Sequence, residues 1–169
     1  MRRKSVVTSA FDCGDGLHQV VTLEREGGSP VSDLNFRRRP CEQCPWRKDA
    51  PLGAFPTSAY RHSANTAYDM AEHTFACHMS GRDRPATCAG FLMRGADHNL
   101  SIRLAISLGR YAPGMLAQSN IPELYESYRA MAEANGVAVD DPALMLCRSG
   151  YESGSVRPGK RRRRYRPPP

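Results

Sequence analysis

The chain has 169 residues, of which 40% are hydrophobic, and it contains 14 glycines and 13 prolines. This length fits one domain better than two, and the composition predicts many loops around a modest core that a metal cross-link would help to stabilise. The net charge is +7, but residues 157–169 hold seven Lys or Arg and no acidic residue, so residues 1–156 carry no net charge and are not a basic domain.

No segment approaches the ~20 consecutive apolar residues that a membrane-spanning helix needs. The basic start of the chain resembles a signal peptide only faintly, because Asp12 and Asp15 interrupt the apolar stretch that would follow it. We therefore expect no membrane segment and a cytoplasmic location. In that compartment six cysteines are expected to be thiols or metal ligands instead of disulfides.

The first part of the chain predicts a β-hairpin. Two segments rich in β-branched residues, 5–11 and 19–23, flank Asp15-Gly16, a step typical of hairpin turns. Together with a connector they make up an N-terminal unit over residues 1–30. A core follows over residues 31–149, and a disordered basic tail over residues 150–169.

Three helices are expected in the core. The first begins near Pro56, has Thr57 or Ser58 as its N-cap and continues to about His73, with apolar residues at helical spacing. The segment 77–97 contains several Gly and Pro residues and is predicted to be irregular.

Residues 100–108 alternate like a strand, but Leu, Arg and Ala favour a helix, capped by Asp97 and ended by Gly109. The third helix is expected to begin at Pro122 and to end at Asn135-Gly136. The fold class that these elements predict is α+β and mainly α: a small single domain organised around a metal site, with an N-terminal hairpin.

Four cysteines follow the pattern C-x2-C-x32-C-x10-C and are Cys41, Cys44, Cys77 and Cys88. Two cysteines separated by two residues can direct both sulfurs to one point, and a tetrahedral site then needs two further thiolates. Cys77 and Cys88 lie in turn-rich sequence at the two ends of a Gly/Pro-containing loop, so they can supply the second pair. The four residues are therefore predicted to ligate one metal centre.

Zn²⁺ is the preferred metal, and a 4Fe-4S cluster is the alternative, since four thiolates suit both. His78 could replace one cysteine as a ligand. A redox dithiol is less favoured, because such a motif opens a helix after a strand within a βαβ unit, and no such unit surrounds Cys41 and Cys44. Trp46, the single tryptophan, is expected to pack against the metal loop.

The blocks Cys41-x-x-Cys44-Pro45-Trp46-Arg47, Phe75-x-Cys77-His78 and Cys88-Ala89-Gly90-Phe91 resemble a family of small uncharacterised proteins of actinobacteria and their phages. The resemblance covers roughly residues 40–110. It implies that the four cysteines form one site and that the source is an actinobacterium or a phage. It implies no activity.

The basic tail is a candidate nucleic-acid contact, because neutralising phosphates releases their counterions. Tyr165 could stack on an exposed base. The residues concerned are Lys160, Arg161, Arg162, Arg163, Arg164, Tyr165 and Arg166. A solubilising tail without a binding role is the alternative interpretation.

The chain is therefore predicted to be a non-enzymatic metal-binding protein with a four-cysteine site, an accessory or regulatory factor that contacts nucleic acid. The alternatives are an iron–sulfur protein that responds to redox state and a phage-derived protein that binds a host factor. An enzyme is disfavoured because no paired carboxylates, Ser-His-Asp set or phosphate-binding glycine loop can be recognised. A protein partner is compatible with this prediction, and the oligomeric state does not follow from the sequence.

Overall fold

The computed structural model describes residues 5–25 and 34–148. Within them lie an antiparallel hairpin and four short α-helices, joined by loops and single 3-10 turns. The strands are β1 (Ser5–Asp12) and β2 (Gln19–Arg25), and the helices are α1 (Thr57–Ser63), α2 (Ala89–Arg94), α3 (Leu100–Ser107) and α4 (Tyr128–Ala134). The predicted class, a small and mainly helical α+β domain with an N-terminal hairpin, is confirmed. None of the helices in the described part of the chain is long and apolar enough to cross a membrane.

The predicted hairpin is present, with Phe11 opposite Val20 and an irregularity in register between Val7 and Ser9. Its turn depends on Asp15, whose carboxylate accepts hydrogen bonds from the backbone N–H groups of residues 17 and 18. The ring of Phe11 stacks on His62 of α1 at a centroid distance of 4.3 Å. The hairpin therefore lies against the helical body.

The first helix is shorter than predicted. It ends at Ser63 and tightens into a 3-10 turn, Ala64–Ala67, instead of continuing to His73. The buried Asn99 explains the difference, because its side-chain amide donates to the carbonyl groups of Thr66 and His73 and fixes the chain in a non-helical path. The N-cap prediction was also wrong: Pro56 occupies that position, and no side chain caps the helix.

The segment predicted to be irregular contains helix α2, which begins directly after Cys88. Helix α3 is confirmed as a helix and not a strand, but its cap is Asn99 instead of Asp97. The Asn99 side chain accepts a hydrogen bond from the backbone N–H of Ile102 at 3.2 Å. Gly109 follows α3 with a φ of 66°, as expected for a residue that ends a helix.

The last helix begins at Tyr128 and not at Pro122. Residues before it are extended because they pair with the loop after the first cysteines: the N–H of Tyr125 donates to the Trp46 carbonyl, and the N–H of Lys48 donates to the Glu123 carbonyl. The predicted end at Asn135-Gly136 is confirmed, with Gly136 at a φ of 91°.

The core is centred on Trp46, whose side chain is fully buried. Its ring lies edge-to-face against Phe75 and Tyr128, at centroid distances of 6.1 and 5.8 Å, and tilted against Phe91 at 6.2 Å. The tryptophan expected to pack against the metal loop is therefore a core residue. Since it lies two residues after Cys44, the core and the cysteine loop are one packing unit.

Candidate metal centre

A tight turn positions the first two cysteines. The N–H of Cys44 donates to the carbonyl of Cys41 at 3.1 Å, and the N–H of Arg47 donates to the carbonyl of Cys44 at 2.9 Å. The Arg47 guanidinium also reaches back to the Cys41 carbonyl at 3.4 Å. These bonds fold residues 41–47 around the two sulfurs, as the C-x2-C spacing predicts.

The other two cysteines lie on a short antiparallel pairing. The N–H of Cys77 donates to the Ala86 carbonyl at 2.7 Å, and the N–H of Cys88 donates to the Phe75 carbonyl at 2.8 Å. These bonds flank a bridge between Ala76 and Thr87. Because side chains alternate along extended chains, Cys77 and Cys88 lie on the same face.

Ser80 closes the loop between these cysteines. Its hydroxyl donates to the Cys77 carbonyl at 2.6 Å and accepts from the Ala86 N–H at 3.0 Å. A further bridge, between Phe36 and Thr87, extends the pairing on its other side. No local sequence pattern predicts either contact. The sequence therefore predicts that Cys77 and Cys88 form a second pair, but it does not predict the contacts that hold this pair.

The two pairs meet in space. The sulfur of Cys44 lies 3.5 Å from the sulfur of Cys88. After burial, the neighbouring Cys77 and Cys44 thiols raise the pKa of Cys41, so both lie close to it. All four cysteines therefore lie together, although they come from three separate segments of the chain.

The electrostatics of this cluster differ between its members. The Cys88 thiol, followed by the backbone N–H groups of Trp46 and Gly90, lowers the pKa of Cys44 to about 7 against the effect of burial. Burial, followed by the neighbouring Cys77 and Cys44, raises the pKa of Cys41 to about 12. The Cys88 thiol first, and then the backbone N–H groups around Cys44, thus favour a thiolate at Cys44.

His78 lies beside this cluster. Its Nε2 atom is 3.9 Å from the sulfur of Cys41, and its ring lies 5.1 Å from that of Phe55, tilted by 60°. Burial lowers its pKa. His78, which the sequence predicts as a possible replacement ligand, therefore lies next to Cys41.

Within residues 5–25 and 34–148, no group of three or more His, Cys, Asp or Glu side chains already has a geometry that would hold a metal ion. The four thiols of the described chain thus lie close together without an assembled coordination geometry. The chemistry of the donors suits a thiophilic metal: three cysteines are at most 4% exposed, and Cys41 is half-buried.

Gly90 is part of the site although sequence reasoning did not single it out. A β-carbon at this position would lie 2.5 Å from Cβ of Trp46 and 3.1 Å from the sulfur of Cys44. Only a residue without a side chain allows α2 to approach the cysteine turn this closely. A glycine two residues after Cys88, within the Cys88-Ala89-Gly90-Phe91 block, was the available signal.

The remaining cysteines lie apart from the cluster. Cys13 lies in the hairpin turn, and the sulfur of Cys147 contacts the carbonyl of Ala64 at 3.7 Å. Residues 160–166, predicted to contact nucleic acid, lie outside the described residues.

One family profile matches residues 36–148, more than half of the chain, and its description is "Family of unknown function (DUF6283)". The matched region contains all four clustered cysteines and Trp46 and begins after the hairpin. No curated protein and no solved structure gives a significant match to the chain. The chain therefore belongs to the family of unknown function DUF6283.

Proposed function

We propose that the chain is a non-catalytic binding module whose helical body is cross-linked by one zinc ion held by Cys41, Cys44, Cys77 and Cys88. The observation that carries the proposal is the 3.5 Å contact between the sulfurs of Cys44 and Cys88, which lie 44 positions apart in the sequence. Besides burial, the neighbouring Cys77 and Cys44 raise the pKa of Cys41, so the remaining donors lie beside this pair.

A single ion fits these contacts better than a cluster. With zinc–sulfur bonds of ~2.3 Å, a tetrahedral site separates neighbouring sulfurs by about 3.8 Å, close to the distance between Cys44 and Cys88. A four-iron cluster binds one thiolate at each iron, so the cluster itself would separate the sulfurs. Thiols in direct contact therefore support zinc over iron–sulfur.

Four protein donors also support a structural role. A catalytic zinc site keeps one position open for water or substrate, whereas four cysteines complete the tetrahedron. Cys44, Cys77 and Cys88 are almost fully buried, which leaves little access to the ion. The ion would contribute to stability because it binds the folded chain and not the unfolded one.

Metal analysis of the purified full chain tests this proposal. We expect one zinc per chain, no visible absorption, and loss of the zinc in Cys44→Ser. Cys147→Ser is the matched control, because it also replaces a buried cysteine but lies away from the cluster, and it should keep the zinc. A wild-type protein without zinc, or one with iron and sulfide, contradicts the proposal.

The module is proposed to bind nucleic acid through its basic segment, residues 157–169. Seven cations within residues 157–169, against a body without net charge, support this part. A polycation binds through counterion release, which provides affinity without sequence choice. If all seven cations contact phosphates of duplex DNA, the logarithm of the binding constant should fall with the logarithm of salt concentration with a slope of about −6.

The test is a salt titration of DNA binding by the full chain and by a variant in which residues 161–164 are Gln. The variant should bind more weakly and lose about 4 from the magnitude of the slope, at about 0.9 per cation. Cys147→Ser, with all its cations intact, should bind like the wild type. Equal slopes for wild type and the Gln variant would contradict the nucleic-acid assignment and leave the zinc assignment unaffected.

A further inference from the structure

Cys41 differs from the other three cysteines in its surroundings. It is half-buried, whereas Cys44, Cys77 and Cys88 are 0%, 4% and 2% exposed. Among the four donors it is the one that solvent and reagents reach first.

His78 flanks the same sulfur. Its Nε2 atom lies 3.9 Å from the sulfur of Cys41, and Cys77, its neighbour in sequence, lies close to the same sulfur. Phe55 lies against the imidazole at 5.1 Å. His78 also lines a cleft of about 920 Å³ between the hairpin and the helical body.

We propose that Cys41 is an exchangeable ligand of the zinc centre and that His78 is its replacement. The inference rests on the proposed function, since it assigns two states to the same metal site. In one state Cys41, Cys44, Cys77 and Cys88 bind the ion. In the other, the Nε2 atom of His78 takes the position of Cys41, and the Cys41 side chain is free.

Both states give the ion a complete set of four ligands. Four-cysteine and three-cysteine, one-histidine sets are both found in tetrahedral structural zinc sites. Exchanging a thiolate for a neutral imidazole changes the formal charge of the centre from −2 to −1 and leaves its coordination number at four. The consequence is a thiol that can be modified without release of the ion, in a protein whose other three ligands stay buried.

The decisive variant is Cys41→Ala in the full chain, loaded with Co²⁺ and with Zn²⁺. We expect it to keep about one metal per chain, with the Co²⁺ absorption of three sulfur donors and one nitrogen donor in place of the four-sulfur spectrum of the wild type. Cys41→Ala/His78→Ala should bind the metal at least about tenfold more weakly, which is ~1.4 kcal/mol. Cys41→Ala/His73→Ala is the matched control and should bind like Cys41→Ala, because His73 is not in contact with the cluster.

Two results would overturn the inference. One is loss of metal in Cys41→Ala while circular dichroism shows it folded, and the other is equal affinity in the two double variants. If the wild type binds neither metal, the proposed function fails instead, so the two failures are distinct.

A second measurement avoids variants of Cys41. Alkylation of the zinc-loaded wild type should modify Cys41 before Cys44, Cys77 and Cys88 and leave the zinc in place, whereas the same treatment of His78→Ala should release it. Zinc release at equal rates from both proteins would overturn the inference.

Discussion

Gly90 lies so close to Trp46 that a side chain at position 90 would overlap the tryptophan: a β-carbon there would be 2.5 Å from Trp46 Cβ. The same atom would be 3.1 Å from the sulfur of Cys44. One backbone position thus touches both the centre of the core and the candidate metal site. The packing of α2 on the tryptophan and the approach of Cys88 to Cys44 are therefore coupled.

The first prediction follows from this contact. Gly90→Ala should lower the free energy of unfolding by about 2–3 kcal/mol, because neither the buried indole nor the turn can move without loss of packing. For a chain of this size the melting temperature should fall by about 5–10 °C. Zinc content should fall as well, since the Cys44 sulfur would be displaced.

Two other glycines serve as controls for this prediction. Gly114→Ala should change the melting temperature little, because no atom of the described residues beyond its two chain neighbours lies within 4 Å of the added carbon. Gly95→Ala would place its β-carbon 2.5 Å from Cη2 of Trp46, at the far end of the ring. It should therefore lower stability but keep the zinc. Equal melting temperatures for the Gly90 and Gly114 variants would show that the close approach is not rigid.

The second prediction concerns metal removal. An ion that binds only the folded chain at about 1,000 times its dissociation constant adds about 4 kcal/mol to stability. Chelation should thus lower the melting temperature of the wild type by ~10 °C. Differential scanning calorimetry with and without chelator measures this change. Cys44→Ser should melt at the lower temperature under both conditions, and a chelator effect of the same size in that variant would contradict the assignment of the ligands.

The turn that holds Cys41 and Cys44 could be predicted because its geometry is local. Two residues between the cysteines and Pro45 after them determine the fold of that segment over a few bonds. For Cys77 and Cys88, the sequence predicts only that they form a second pair of ligands. Its formation depends on hydrogen bonds that connect residues 86–88 with 75–77 on one side and with 35–37 on the other, and no periodicity in the sequence predicts these connections.

Helix lengths were mispredicted for a similar reason. The apolar spacing after Tyr60 suits a helix to His73, but Asn99 engages the Thr66 and His73 carbonyls from more than 25 positions away. Likewise, Pro122 could begin a helix, but Tyr125 donates to Trp46 instead. In both cases tertiary hydrogen bonds outweigh local helix preference, which contributes at most ~1 kcal/mol per ordinary residue.

The third prediction compares two buried tyrosines. The hydroxyl of Tyr128 donates to the Tyr60 carbonyl at 2.7 Å and contacts the Ser63 hydroxyl at 2.8 Å, whereas the buried hydroxyl of Tyr111 has no hydrogen-bond partner among the described residues. Burial raises the pKa of both phenols, that of Tyr111 to about 12. Both phenols therefore stay neutral near pH 7, so the two hydroxyl groups differ in their hydrogen bonds and not in their charge.

Tyr128→Phe should accordingly lower the free energy of unfolding by about 1–2 kcal/mol. Tyr111→Phe should leave it unchanged or raise it by up to ~1 kcal/mol, since it removes a buried polar atom that makes no bond. Urea unfolding followed by the fluorescence of Trp46 gives both values. A larger loss for Tyr111→Phe than for Tyr128→Phe would contradict the hydrogen-bond assignment.

The fourth prediction concerns Asn99, which is fully buried and performs two tasks. Its side-chain oxygen caps α3 by accepting from the N–H of Ile102, and its amide nitrogen donates to the carbonyls of Thr66 and His73. Asn99→Ala therefore removes a helix cap, worth ~1 kcal/mol, and leaves two carbonyl groups without this donor. We expect a loss of about 3 kcal/mol in the free energy of unfolding.

Ser127→Ala is the matched variant, because Ser127 is also buried and caps α4 by accepting from the N–H of Ala130 at 3.1 Å, but its side chain makes no comparable long-range bonds among the residues that the structure describes. It should lose only about 1 kcal/mol. The difference between the two variants measures what Asn99 contributes beyond capping, namely the non-helical path of residues 64–73. Equal losses would mean that this path is held by other contacts. A helix extending past Ser63 in Asn99→Ala, seen as increased helical ellipticity in the far ultraviolet, would confirm that Asn99 ends α1 there.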